Sequence, residues 1–139
     1  MKPINLNELK SGFRGKTYSR LVQHHIKRQN TRQLAEGIEG TKAMLPRELL
    51  SPDMLNRFDD FFDRWNSRAY DASFWREDCS IVFTQIIDDA AEFLQEAGMK
   101  PDDETLFNIF QIVTLAFAFA ASQQPKMRKF AGIKKGLFS

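Results

Sequence analysis

The segment Leu106–Ala121 constrains this chain more than any other, because apolar side chains occupy every side of the helix it would form. Leu106, Phe107, Ile109, Phe110, Ile112, Val113, Leu115, Phe117 and Phe119 leave no polar face. A helix that is apolar all round is buried all round. The segment is 16 residues long and is interrupted by Asn108, Gln111 and Thr114. A membrane span takes about 20 predominantly apolar residues, so no membrane span is expected and a central core helix is. Covering it takes several neighbours from the same chain or a second copy, and on this ground a homodimer is expected.

The neighbours are legible as amphipathic stripes. From Thr17, the positions Tyr18, Leu21, Val22, His25 and Ile26 fall on one helical face. A weaker run follows through Leu34, Ile38, Thr41 and Leu45. There Gly37 and Gly40 each lower helicity by around 1 kcal/mol relative to Ala, or permit close contact with another helix. Pro46 marks a boundary. Ser51 is a natural N-cap, with Pro52 at the first helical position and Asp53 matching the helix dipole. Met54, Leu55, Phe58, Phe61, Phe62, Trp65 and Ala69 then keep the helical period. A further helix is expected from Ser73 to Ala97, with Trp75, Cys79, Val82, Phe83, Ile86, Ala90, Phe93 and Leu94 on its buried stripe. Gly98 suits a left-handed C-terminal position, and Pro101 prevents continuation. Asp102, Asp103 and Glu104 open the apolar helix with negative charge at its positive end.

No alternating strand pattern or internal repeat is present. The expected fold is all-α, a compact bundle of about four to five helices around a central hydrophobic C-terminal helix. Residues 1–16 read as an irregular basic N-terminal arm, 17–124 as the helical domain and 125–139 as a basic C-terminal tail. The N-terminus has no apolar core of a signal peptide, and the single thiol, Cys79, gives no reason for an oxidising compartment. A cytoplasmic location is expected.

The net charge of +2 conceals a strong asymmetry. Residues 1–34 hold eight basic residues against Glu8 alone, a net +7. Residues 35–124 hold seven basic and seventeen acidic residues, a net −10, and residues 125–139 hold five cations and no acid, a net +5. Basic ends of this kind bind polyanions, or lie across an acidic body, their own or a partner's. The candidate contacts are Arg14, Lys16, Arg20, Lys27 and Arg28 near the N-terminus, and Lys126, Arg128, Lys129, Lys134 and Lys135 in the tail.

Two motifs fall short of a named chemistry. Gly12-Phe-Arg-Gly15-Lys16-Thr17 ends like the phosphate-binding G-x-x-x-x-G-K-[ST] loop, but Lys10 stands where the first glycine belongs. The nine residues before it, with Pro3, Asn5 and Asn7, cannot supply the strand that such a loop needs. Gly12-x-x-Gly15 has the spacing of the nucleotide-clamping loop of KH domains, which contain a sheet that this chain lacks. A looser role, one phosphate held by backbone N–H groups and charge, competes with a plain basic arm, and the plain arm is favoured.

The acidic residues form the other candidate. Asp60 and Asp63 on one helix and Asp89 and Glu92 on the next have i, i+3 spacing, and two opposed faces of this kind can hold Mg²⁺. All-α nucleoside triphosphate pyrophosphatases use carboxylate clusters on neighbouring helices, and these pairs resemble them in a generic way. The plainer account is a solvated face with Asp53 paired to Arg57 and Asp60 to Arg57 or Arg64. His24 and His25 are adjacent, so their side chains diverge by about 100° on a helix and cannot share a metal. Cys79 sits among Trp75, Val82 and Phe83 as a small apolar residue.

No catalytic constellation emerges. The expected function is that of a non-enzymatic helical interaction, adaptor or regulatory protein acting as a homodimer, without a cofactor, on a protein or nucleic-acid partner. The alternatives are nucleic-acid binding through the basic ends and Mg-dependent nucleotide pyrophosphatase or phosphohydrolase activity.

Overall fold

The structure, a computed structural model, describes residues 3–123 and is all-helical. In chain order it contains α1 (Leu6–Gly12), α2 (Tyr18–Arg28), α3 (Thr31–Lys42), a 3₁₀ turn (Arg47–Leu50), α4 (Pro52–Ser67), a second 3₁₀ turn (Arg68–Tyr70), α5 (Ala72–Trp75), α6 (Cys79–Glu96) and α7 (Asp103–Gln123). No strand forms among the described residues; a single bridge pairs Thr17 with Asp78.

The helix ends follow local chemistry. Ser51 accepts a hydrogen bond from the Met54 N–H with Pro52 behind it, as its sequence predicts. Asn30 and Gln33 make a reciprocal capping box at the start of α3, leaving two fewer helix-end N–H groups without a partner. At the end of α6, Gly98 adopts φ of 75°. Its N–H donates to Gln95 O and the Met99 N–H to Leu94 O, which is the Schellman arrangement.

Helix α7 forms the axis. It packs most extensively on α3, then on α2 and α6, with α4 adding a further side. Ile109, Val113, Phe117, Ala118 and Ala121 are completely buried. Gly37 faces α7: a Cβ built there would lie 3.4 Å from Leu115 Cδ1, about van der Waals contact. Gly40 faces open space. By length and hydropathy α7 is apolar enough to cross a membrane, yet 72% of its most apolar window is buried inside the molecule. Helices of the same chain therefore cover it, and a second chain is not needed for that purpose. The argument for a homodimer from this helix falls with that finding.

A polar pair sits within the core. Tyr18 Oη and Thr114 Oγ1 lie 2.9 Å apart, with both residues fully buried. Burial pushes the Tyr18 phenol well above its ordinary value, so it stays neutral. Replacing Thr114 with valine keeps the shape and leaves the phenol buried without its partner. The expected loss is about 1–3 kcal/mol in urea denaturation, and adding Tyr18→Phe is expected to recover part of it.

Three expectations change. The N-terminal arm is not irregular: Asn5 caps α1 by accepting from the Asn7 and Glu8 N–H groups, and Leu6, Leu9 and Phe13 pack against the core. The helix expected over 73–97 is broken. Asp71 caps the short α5, and Asp78 caps α6 by accepting from Ser80, with Arg76 and Glu77 in the turn between them. The break puts Cys79 on the first turn of α6 rather than in the middle of a stripe. Ion pairs from Asp53 or Asp60 to Arg57 or Arg64 do not form. The pairs among the described residues are Arg32–Glu36 at 3.1 Å and Glu39–Lys42 at 3.9 Å.

Candidate functional site

The expected cations of the N-terminal region converge on α2 and the turn before it. Arg14, Lys16, Arg20, Lys27 and Arg28 are all exposed. Burial of Tyr18, Val22 and Ile26 fixes the inner face of α2, which turns Arg20, His24, Lys27 and Arg28 outward at helical spacing. The helix contains no acidic residue. Among the described residues, none of these five cations enters an ion pair. Their positive field is therefore directed at solvent. Lys27 and Arg28 also lie in the last turn, where they complement the helix dipole. At the other end, the Tyr18 N–H donates to Glu77 O and the Cys79 N–H to Lys16 O, which brings the acidic Glu77–Asp78 turn beside Lys16.

The glycine-rich segment lies between α1 and α2. Gly15 takes φ of 74° in the turn, and a helix precedes the segment where a phosphate-binding loop needs a strand. Thr17 caps α2 through its backbone only, with its hydroxyl 2.9 Å from Ser19 Oγ. Neither the phosphate-loop frame nor the sheet of a KH domain surrounds it. The tail cations Lys126, Arg128, Lys129, Lys134 and Lys135 lie outside the described residues.

The acidic candidates separate. Asp89 and Glu92 line a cleft of about 470 Å³ between α4 and α6, together with Gln85 and Asp88 on α6 and Arg64, Trp65 and Arg68 opposite. Asp60 lines an adjoining cavity of about 350 Å³ with Arg57, Arg64 and Glu96, while Asp63 is exposed and borders neither. Among the described residues no three His, Cys, Asp or Glu side chains gather closely enough to hold a metal ion. Asp60 and Asp63 therefore do not join Asp89 and Glu92 in one site.

Sequence reasoning missed the cationic wall of the cleft. Arg64 and Arg68 face the α6 acids, yet no ion pair crosses the gap among the described residues. Trp65, almost completely buried, organises both sides. Its indole N–H donates to Asp89 Oδ2 at 2.8 Å, and the Arg68 guanidinium lies 4.3 Å from its ring centroid. The helical spacing of Arg57, Arg64 and Arg68 was a usable signal, but which helix they would face was not.

The thiol is held in its unreactive protonated form. Burial pushes the Cys79 thiol up to about 11, and its S–H points at the Thr17 carbonyl. His25 is half-buried on the inner side of α2; desolvation and the neighbouring His24 lower its pKa. Comparison with known protein families, curated proteins and solved structures finds no match for this chain.

Proposed function

We propose that the protein is a non-enzymatic helical binding module whose working surface is the outer face of α2, docking on the phosphate backbone of a nucleic acid. The observation that carries this reading is the set of five exposed cations, Arg14, Lys16, Arg20, Lys27 and Arg28, none of them neutralised by an ion pair among the described residues. Basic residues meant for the protein's own acidic body would be docked against it. Arg20, Lys27 and Arg28 are instead exposed on the outer face of α2, which favours an external polyanion. The non-enzymatic part rests on the chemistry at hand: a thiol held protonated by burial and two divergent histidines. A homodimer would present two such faces, and static light scattering at micromolar concentration measures that separately.

Fluorescence polarisation with a labelled DNA duplex and the matching single strand tests the reading. Binding is expected at low salt, with little dependence on sequence. The logarithm of affinity is expected to fall linearly with the logarithm of salt concentration, by about 0.9 per phosphate contact on duplex DNA. Absence of binding to either form at low salt would overturn it.

A further inference from the structure

We infer that the cleft between α4 and α6 binds a free basic amino acid, lysine or arginine, at a site separate from the α2 face. The cleft is a groove whose two walls carry opposite charge: Arg64 and Arg68 on one side and Asp88, Asp89 and Glu92 on the other. No ion pair forms between them among the described residues, which leaves both walls available to a ligand that presents both signs.

The charge count narrows the ligand class. Two guanidiniums match one carboxylate, since a guanidinium fork binds carboxylate oxygens directionally. Three carboxylates match two cationic groups and one solvent contact. A ligand with one carboxylate and two cations is a basic amino acid, and the cleft volume of about 470 Å³ accommodates one.

The site is also partly pre-arranged. Asp89 is held by the Trp65 indole N–H and Arg68 by the face of the same ring, so an anion and a cation of opposite walls are fixed by one buried side chain. Preset polar groups reduce the ordering that binding requires. The other lining charges are exposed, so the affinity is expected in the millimolar range and falls with salt.

The two indoles supply a test with its own control. The Trp65 N–H contacts Asp89 inside the cleft, while the Trp75 N–H donates to Ala69 O in the core at 2.8 Å. In proton–nitrogen correlation spectra, titration with L-lysine at millimolar concentration is expected to move the Trp65 indole signal and leave that of Trp75 in place. Cadaverine, which lacks the carboxylate, and L-glutamate, which reverses the charge balance, are each expected to bind at least about tenfold more weakly. The double variant Asp88→Asn, Glu92→Gln alters exposed side chains only, and an unchanged Trp75 signal reports that it is folded. It is expected to weaken L-lysine by about tenfold. A Trp65 signal unmoved by L-lysine would overturn the inference. So would cadaverine binding as tightly as L-lysine, or undiminished binding by the folded double variant.

Discussion

Replacing Phe117 with alanine is expected to destabilise the protein by about 3–5 kcal/mol, the largest loss from any single truncation on α7. The side chain is fully buried, and its ring meets Tyr18 at 5.6 Å, Phe74 at 5.5 Å and Trp75 at 5.7 Å between centroids. These three rings come from α2 and α5, so Phe117 joins both helices to the central one. Edge-to-face aromatic contacts contribute beyond their buried area, and none survives truncation. The surrounding rings are themselves fixed: the Trp75 N–H is bonded to Ala69 O and the Tyr18 hydroxyl to Thr114, so the void cannot collapse easily. Phe119→Ala is the control, because Phe119 lies two residues along the same helix and is only partly buried. Urea denaturation of both variants is expected to show the lower midpoint for Phe117→Ala, with a similar slope. Equal midpoints would mean that the aromatic cluster does not organise the core.

The second large effect concerns the α2 face. The triple variant Arg20→Gln, Lys27→Gln, Arg28→Gln removes three exposed charges that have no ion-pair partner among the described residues. If each makes a phosphate contact, the salt slope on duplex DNA falls by about three units. With about 1 kcal/mol for each contact, affinity at low salt falls on the order of 100-fold. Glutamine is polar, uncharged and close to Lys and Arg in helix propensity, so the thermal midpoint is expected to change little. The opposite experiment uses acids: Asp53→Asn with Asp59→Asn removes two exposed charges from α4, away from α2, and leaves the slope unchanged. A triple variant with native affinity would place the polyanion elsewhere on the molecule.

The sequence disclosed the architecture unevenly, for physical reasons. Ser51-Pro52-Asp53 marks a helix start because each residue acts on the first turn by itself, without help from tertiary contacts. Gly98 marks a helix end for the same reason. The absence of a polar face on 106–121 announces burial, but it does not say which neighbours supply the cover. That ambiguity made a second chain seem necessary where α3, α2, α6 and α4 suffice. The break before Cys79 was readable in principle, since Asp78 sits two residues before Ser80 as a cap does. The continuous apolar stripe from Trp75 to Leu94 concealed it. Helix α1 was hidden by its shortness, by Pro3 just before it and by two asparagines, Asn5 at its cap and Asn7 within it. As for the cleft, Asp89 and Glu92 of α6 were visible as a pair at i, i+3 spacing. Arg64 lies on α4 and Arg68 opens the 3₁₀ turn after it, and only the packing of this segment beside α6 brings them opposite that pair.

The position of α7 in the chain has a consequence for synthesis. Its partners lie far upstream: Tyr18 meets Thr114 across 96 residues, and Thr31 meets Ser122 across 91. A chain leaving the ribosome therefore makes α2, α3, α4 and α6 before the helix that they enclose exists. Until then Tyr18, Phe74 and Trp75 have no Phe117 to close upon, and the nascent chain exposes an aromatic surface. The core of this protein therefore closes only once α7 has been made.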